Sequence, residues 1–465
     1  MPEKSIRPDW VPVTIRLKVP ATTIEDQVFD CTKEWDRRLQ PYLTFDRKYR
    51  PVPLSPPRAE RKEFGESGTR LVVVRAWVDP KLLADPELIG LVKGQPRFHN
   101  IARDVRLEPF EGRGREVEEL SFASGGAAPR VECAGSDRGV GTAADVARAL
   151  GVTRIWAAGY TGRGLVVGVV DGGITARGRA TPLGTRPAIP QPPAEGEVIG
   201  GYPPADWGTT AEGWGEHGNM IAFDVQAMAP EAELWDIRIW EPGVAFPSYV
   251  LNALGGYRLA IDHYRTHGVP QVLVNSWGLY DSANGPDYAF NPYSEIALAV
   301  EAALDAGILI LFAAGNCGDG CPFAAGSLCG YGNRGPGASI LGPNGHPEVM
   351  TVGAATLRGE WCGYTSQGPA VLPPNDPDKP DFCSISQFEG FFPNESGLRH
   401  YDGGTSAATG IAAGVVALLK PARPDLTQEA CRRLLKETAR PVRTPAAHDG
   451  AGAGIIDALR AFRSL

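Results

Sequence analysis

The chain has 465 residues, of which 46 are Lys or Arg and 54 are Asp or Glu, so its formal net charge is −8. This acidic balance argues against nucleic acid and anionic membranes as partners, because both attract basic surfaces. Hydrophobic residues make up 43% of the chain, which suits a soluble globular protein, and no stretch reaches about 18 uninterrupted apolar residues, so we expect no membrane span.

The first 110 residues are predicted to form a small α+β domain. The N-terminus, MPEKSIRPDWVPVTIRLKV, has no apolar segment behind a basic start, which argues against a secretory signal and predicts a cytoplasmic protein. Strands are predicted at 12–19, 69–78 and 104–110, with helices at 22–39 and 79–94 between them. Residues 111–140 are rich in Gly, Ser, Ala and charge, and we expect a linker there.

From residue 141 to 465, apolar strands alternate with candidate helices. The strands are predicted at 165–170, 233–239, 272–277, 308–315 and 348–354, and the helices near 217–228, 248–267 and 292–306. Several strands are apolar almost throughout, as strands buried on both faces are. This pattern predicts an α/β fold with a parallel sheet flanked by helices on both faces.

Ligands of such folds bind at the carboxyl ends of the strands. Asp171 and Asn316 each follow a predicted strand, and His217 and Ser406 each begin a candidate helix. Taken singly, each has an ordinary structural interpretation as a turn residue, a packed histidine or a helix cap. Together they supply an acid, a base and a nucleophile in an order known for serine hydrolases, with Asn316 as a donor for an oxyanion.

Several segments resemble those of the subtilisin-like serine peptidases, and they occur in that family's order. They are LVVGVVDGGI, EHGNMIAFDVQAMAPEAEL, VLVNSWG, FAAGN and GGTSAATGIAAGVVALL, followed by a closing GAGIIDALRA. The resemblance covers roughly 141–465. It implies a subtilisin-like fold and a serine endopeptidase that acts on a protein or peptide substrate through an acyl-enzyme.

The resemblance also implies roles for individual residues. Asp171 would orient His217, the general base, and Ser406 would attack the scissile carbonyl. Asn316 and the backbone N–H of Ser406 would form the oxyanion hole. The substrate backbone would pair, as an added strand, with Ser276, Trp277 and Gly278.

Four positions depart from the family pattern without removing a catalytic group. Asn219 and Met220 replace the usual histidine and threonine, Gly410 replaces a proline, and Gly172 replaces a serine or threonine. These departures motivate an alternative, in which the protein is a catalytically silent subtilisin-like peptide-binding protein.

The N-terminal zone resembles the inhibitory pro-domains of this family. That resemblance implies a zymogen in which residues 1–110 act as an intramolecular inhibitor and cleavage occurs in the linker at 111–140. The alternative is an accessory domain that stays attached.

We predict no metal and no cofactor, although two groups of residues have ligand chemistry. His263 and His267 are four residues apart on a candidate helix, for which a solvated helix end is the simpler interpretation. Cys317, Cys321 and Cys329 leave three alternatives open, namely a zinc site with one more ligand, one disulfide, or unbonded thiols. A reducing cytoplasm disfavours the disulfide. Calcium sites of the family are not recognisable in the sequence.

Overall fold

The structure is a computed structural model that describes residues 7–110, 141–176, 179, 197–209, 213–320, 328–391, 401–443 and 448–465. The predicted linker at 111–140 therefore lies outside the described residues. The strands are β1 (Val11–Pro20), β2 (Leu43–Phe45), β3 (Val52–Leu54), β4 (Thr69–Val78), β5 (Phe98–Arg103), β6 (Glu108–Pro109), β7 (Val166–Asp171), β8 (Val198–Tyr202), β9 (Glu233–Arg238), β10 (Val272–Asn275), β11 (Trp277–Gly278), β12 (Leu309–Ala313), β13 (Met350–Ala355) and β14 (Phe382–Ile385).

The α-helices follow the same chain order. They are α1 (Arg61–Glu66), α2 (Pro80–Ala84), α3 (Pro86–Lys93), α4 (Ala143–Ala149), α5 (Val152–Ala157), α6 (His217–Met228), α7 (Tyr249–His267), α8 (Pro286–Phe290), α9 (Glu295–Ala306), α10 (Gly404–Ala422), α11 (Gln428–Thr438), α12 (His448–Ala451) and α13 (Ala458–Arg463).

Seven strands form a parallel sheet in the order β14-β13-β12-β10-β7-β9-β8. Alternate residues of the central strands β7, β10 and β12 enter two different cores, as the two-residue period of a strand requires. Val167 and Val169 of β7 pack with α6 and α10, whereas Val166 and Val170 pack with α7 and α9. The predicted fold class, a parallel sheet with helices on both faces, is confirmed.

The N-terminal unit is an antiparallel sheet in the order β2-β4-β1-β5, with β3 also paired to β4. One face of this sheet has a core of its own, which includes Val28, Leu82 and Val92. The opposite face, through Leu71 and Val73, shares a core with α7 and α9 of the larger unit. The N-terminal unit therefore packs on the larger unit over the α7–α9 face of the parallel sheet.

Two expectations for the N-terminal unit were wrong. The helix predicted at 22–39 is instead two short 3₁₀ segments, Glu25–Thr32 and Arg37–Leu39, because β-branched, Asp and Cys residues of low helix propensity fill it. The strand predicted at 104–110 does not close the N-terminal sheet. Phe98–Arg103 is the edge strand instead, and the chain beyond it leaves the unit and pairs with β11 through Glu108–Pro109.

One helix in the described part of the chain is long and apolar enough, by length and composition alone, to cross a membrane. It is α10, and 83% of its apolar window is buried inside the protein. The helix contacts α6 on one side and five strands of the parallel sheet, β7, β10, β12, β13 and β14, on the other. Its apolar surface is therefore satisfied by packing within the fold.

Candidate active site

Asp171 and His217 form a buried pair at one edge of the sheet. Asp171 is the last residue of β7, and His217 is the first residue of α6. The Nδ1 atom of His217 lies 2.9 Å from both carboxylate oxygens of Asp171, and the two side chains are 0% and 1% exposed. The backbone N–H of Gly172 donates to Oδ1 of Asp171 at 2.7 Å. Asp171 therefore fixes the ring orientation of His217 and favours the tautomer with a proton on Nδ1.

The start of α6 holds the loop that follows β7. The residues involved include Asn219, which departs from the pattern of the subtilisin-like peptidases, and its neighbour Gly218. The Oδ1 atom of Asn219 accepts the N–H of Thr175 at 2.9 Å. A Cβ atom on Gly218 would lie only 2.2 Å from the carbonyl oxygen of Gly173, so this close approach requires glycine. Met220 is buried in the core. Asn219 and Met220 thus have structural roles here.

A second carboxylate, Asp236, lies beneath the same loop. Its two oxygens accept the N–H groups of Ile174 at 3.1 Å and Gly208 at 2.7 Å. Burial raises the pKa of Asp236 to about 7, although both N–H groups oppose this shift. Asp236 fixes the loop that follows Asp171.

Ser406 is the third residue of α10 and is fully buried. Gly404 begins this helix with φ +72°, a left-handed conformation that glycine adopts without strain. The Oγ atom of Ser406 donates to the carbonyl oxygen of Ser276 at 3.0 Å. Ser406 thus lies at a helix N-terminus, where free N–H groups and the helix dipole favour negative charge.

The helices that carry His217 and Ser406 pack at close range through glycines of α10. A Cβ atom on Gly410 would lie 2.7 Å from the Cβ atom of Asp224, and one on Gly414 would lie 2.5 Å from the carbonyl oxygen of Val225. Proline at position 410 would clash with Asp224. The departure at Gly410 is therefore explained by the close approach of α6 at Asp224.

Asn316 follows β12 and is oriented by the residue before Ser406. Its Oδ1 atom accepts hydrogen bonds from the backbone N–H of Thr405 at 3.0 Å and from the hydroxyl of Thr405 at 2.9 Å. These two donors assign the oxygen of the amide, so its Nδ2 atom points the other way. The sequence motifs predicted no catalytic or binding role for Thr405, although it directly precedes the predicted nucleophile.

The end of the N-terminal unit lies in this site. Pro109 pairs with Trp277 and Glu108 with Gly278 in an antiparallel bridge. The N–H of Phe110 donates to the carbonyl oxygen of Ser276 at 3.0 Å, and the Nδ2 atom of Asn316 donates to the carbonyl oxygen of Phe110 at 2.8 Å. Ser276, Trp277 and Gly278, which were predicted to pair with substrate, thus pair with residues 108–110 of the same chain.

The structure resolves the alternatives for two of the loop cysteines. Cys317 and Cys329 form a disulfide, the alternative that a reducing compartment disfavours, and Cys321 lies outside the described residues. No group of three potential metal ligands occurs among the described residues. The Nδ1–H group of His263 donates to the carbonyl oxygen of Val269 at 2.8 Å, and the ring of His263 stacks on that of His267. His267 is exposed at the end of α7, as expected for a solvated helix end, whereas His263 is half-buried.

The chain resembles known serine proteases in sequence. The chain is 25% identical to the serine protease AprX of Bacillus subtilis over 304 residues, which is 59% of this chain and 61% of AprX. It is 27% identical to bacillopeptidase F of the same species over 334 residues, 67% of this chain and 21% of that protein. The chain thus spans less than two thirds of each of these relatives.

Among solved structures, fervidolysin from Fervidobacterium pennivorans, a keratinolytic enzyme related to subtilisin, matches with a TM-score of 0.57 and 18% identity. This match covers 98% of the present chain and 61% of fervidolysin, and it supports the same fold. The sequence profile of the subtilase family matches residues 162–454, which is more than half of the chain. The chain therefore belongs to the subtilase family.

Proposed function

We propose that the protein is a serine endopeptidase in which Asp171, His217 and Ser406 act as acid, base and nucleophile. One observation carries this proposal. The carbonyl oxygen of Phe110 accepts a hydrogen bond from the side-chain amide of Asn316 at 2.8 Å. The N–H of Phe110 donates to the carbonyl oxygen of Ser276, which also accepts the hydroxyl of Ser406. This is the arrangement that a bound substrate needs when its carbonyl is to be attacked.

We infer the following reaction from the buried Asp171–His217 pair and from the position of Ser406 at the start of α10. His217 takes the proton of the Ser406 hydroxyl on Nε2, while Asp171 holds the opposite nitrogen and stabilises the imidazolium that forms. The Ser406 oxygen attacks the scissile carbonyl, and the oxyanion is stabilised by the Nδ2 group of Asn316 and the backbone N–H of Ser406. His217 then gives its proton to the leaving amine, and water hydrolyses the acyl-enzyme by the same steps.

The same contacts support synthesis of the protein as a self-inhibited zymogen. Residues 108–110 fill the strand position in which an extended substrate would add to Trp277 and Gly278. Phe110 would be the residue whose carbonyl is attacked, so the bond to be cut joins Phe110 to Glu111 at the start of the predicted linker. Until residues 1–110 leave, other substrates are excluded from the cleft.

A fluorophosphonate probe tests the nucleophile. Wild-type protein, incubated until its mass is constant, should be labelled, and so should Ser464→Ala, a control at an exposed serine. Ser406→Ala should not be labelled, and its kcat on a casein or peptide substrate should fall by about 10⁶-fold. Labelling that persists in Ser406→Ala contradicts the assignment. Peptide binding without turnover by the wild type supports the silent peptide-binding alternative instead.

A further inference from the structure

A buried carboxyl group interrupts the apolar pattern of β9. Asp236 is 0% exposed and lies between Trp235 and Ile237, which pack in the core that contains α7. The side chain of Asp236 therefore lies on the opposite face of the sheet, as does that of Leu234, which packs in the core beside α6 and α10. Burying a carboxylate among apolar groups is costly unless hydrogen bonds compensate for the lost water. An apolar residue would be more favourable at this position unless the carboxyl group has a task of its own.

The carboxyl group of Asp236 joins the two loops that follow β7 and β8. Its Oδ1 atom accepts the N–H of Ile174 at 3.1 Å, and its Oδ2 atom accepts the N–H of Gly208 at 2.7 Å. The loops also pair directly, because the N–H of Ala176 donates to the carbonyl oxygen of Gly208 at 2.9 Å. Each carboxylate oxygen thus has a backbone donor, and hydrogen bonds of this kind favour the ionised form.

The turn that Asp236 holds is the one that fixes the proposed acid of the triad. The N–H of Gly172 donates to Oδ1 of Asp171 at 2.7 Å, and Ile174 lies two residues further along the same turn. Asp171 then orients His217 through the Nδ1 atom of the ring. Loss of the hydrogen bond to Asp236 would let the Gly172 donor shift, and the Asp171 carboxylate would be held less firmly.

We propose that Asp236 is a positioning residue for the reaction, because its ionised carboxyl group holds the turn that fixes Asp171. Activity then requires that Asp236 be ionised as well as that His217 be neutral. The inference rests on the proposed function, since it concerns the triad of the same site. Asp236 acts through the turn and Asp171 rather than on the substrate. A role in folding alone would not make the rate of the reaction depend on the charge of Asp236.

The groups around Asp236 place its ionisation near neutral pH. Burial raises the pKa of Asp236 to about 7. The two backbone N–H groups and the guanidinium of Arg238 oppose this rise in pKa, whereas the carboxylate of Asp171 adds to it. Arg238 of β9 and Asp171 of β7 are partners in the register of these two strands. They are the charged side chains that act on Asp236 in the described part of the chain.

This ionisation should be visible in the pH dependence of the reaction. When Asp236 takes up a proton, one of its oxygens becomes a donor, and its hold on the turn weakens. His217 must also lose its proton before it can act as a base. A single ionisation lowers a rate by about one decade per pH unit. Two such groups should therefore make the rate fall more steeply than that as the pH drops below about 7.

The test measures the second-order rate constant for labelling of Ser406 by an uncharged fluorophosphonate, from about pH 5.5 to 9. Full-length wild type, Asp236→Asn and Asp206→Asn are each incubated until their mass is constant. Asp206→Asn is the matched control, at an exposed carboxyl in the loop after β8. Asp236→Asn keeps the size of the side chain but has no charge. We expect it to be labelled about 10- to 100-fold more slowly than wild type at about pH 8.

The shape of the pH profile separates the inference from the proposed function. The labelling rate of Asp236→Asn should fall by only about one decade per pH unit below about pH 7, whereas Asp206→Asn should reproduce the steeper wild-type profile. A wild-type rate that falls by about one decade per pH unit or less overturns the role of Asp236 alone, and this result needs no variant to fold. Parallel profiles for wild type and Asp236→Asn do the same. No labelling of wild type at any pH, together with no hydrolysis of casein, overturns the proposed function.

Discussion

The side-chain amide of Asn316 donates a 2.8 Å hydrogen bond to the backbone carbonyl oxygen of Phe110, which lies 206 residues earlier in the chain. The other end of the amide accepts two hydrogen bonds from Thr405. The amide of Asn316 therefore has two roles. Its Nδ2 group donates to the bound peptide, and its Oδ1 atom anchors the side chain of Asn316 to the start of α10. These two tasks can be separated by mutation.

Asn316→Asp keeps the acceptor for Thr405 and removes the donor, whereas Asn316→Ala removes both. Because the donor stabilises charge that develops only in the transition state, both variants should lower kcat by about 10²- to 10³-fold with little change in KM. Steady-state kinetics on the processed enzyme measures this. Wild-type kcat in Asn316→Asp would show that the amide serves only to anchor Thr405.

The contact between the N-terminal unit and α9 contains a buried ion pair. Arg16 and Glu295 are 3% and 4% exposed, and the Nε atom of Arg16 lies 3.1 Å from Oε1 of Glu295. Burial raises the pKa of Glu295, and the charge of Arg16 opposes that shift. Arg16→Ala leaves this carboxyl buried without its cation, which should lower the free energy of unfolding by about 3–5 kcal/mol.

Arg58→Ala is the comparison for that measurement. Arg58 is 41% exposed in its side chain and meets Asp305 and Glu348 at the rim of the same contact. Solvent screens such pairs, so its loss should cost about 1 kcal/mol or less. Urea unfolding of both variants, in a Ser406→Ala background that prevents self-digestion, gives the two values. Equal losses would contradict a central role for the Arg16–Glu295 pair.

The close packing of α10 on α6 depends on the absence of a side chain at Gly410. Alanine there gains about 1 kcal/mol of helix propensity, but its Cβ atom would overlap Asp224, and overpacking typically costs about 1–3 kcal/mol. We expect a net loss in Gly410→Ala that Asp224→Gly partly relieves in the double variant, because only glycine at position 224 removes the Cβ atom that the new methyl group meets. Gly90→Ala in α3, where no atom lies within 4 Å of the added Cβ, should be neutral or stabilising. If the losses of the two single variants simply add in the double variant, the contact between positions 410 and 224 does not limit the packing of α10 on α6.

The buried carboxyl group of Asp224 should also make the free energy of unfolding depend on pH. Burial raises the pKa of Asp224 well above its usual 3.8, and the neighbouring Asp402 carboxyl adds to that shift. Between pH 3.8 and this raised pKa, the native state holds a proton that the unfolded state has released. The free energy of unfolding should therefore fall as pH rises through this window.

Asp224→Asn removes the titrating group while keeping its shape. In the Ser406→Ala background, this variant should lose part of the decline in stability that occurs as the pH rises above 3.8. Asp425→Asn, at a carboxylate whose side chain is 79% exposed, should follow the parent curve. Parallel curves for Asp224→Asn and its parent, from urea unfolding at pH 5 to 9, would contradict the assignment.

The sequence predicted the central sheet well because its strands are apolar on both faces. Five of the seven parallel strands and the helices at 217–228, 248–267 and 292–306 occur where they were expected, with ends shifted by up to three residues. The two strands at the sheet edges, Val198–Tyr202 and Phe382–Ile385, were not predicted. The first contains two glycines and the second has only four residues, so neither gives a clear strand pattern.

Sequence motifs predicted the residues of the site but not the contacts between distant segments. Asp171, His217, Asn316 and Ser406 stand in local motifs, which made them recognisable. The position of Phe110 depends on pairing with Trp277 and Gly278, more than 160 residues away, and no local pattern carries that register. The Cys317–Cys329 pairing was one alternative of three, because cysteine spacing alone does not fix connectivity.

Intact mass spectrometry of the purified protein tests the central claim most directly, namely that Ser406 acts on the Phe110 carbonyl that Asn316 holds. We predict that the wild type yields a fragment of residues 1–110 and a chain that begins at Glu111, whereas Ser406→Ala remains a single chain of 465 residues. Cleavage after Phe110 in Ser406→Ala, or a fully active wild type that remains intact, would contradict the account.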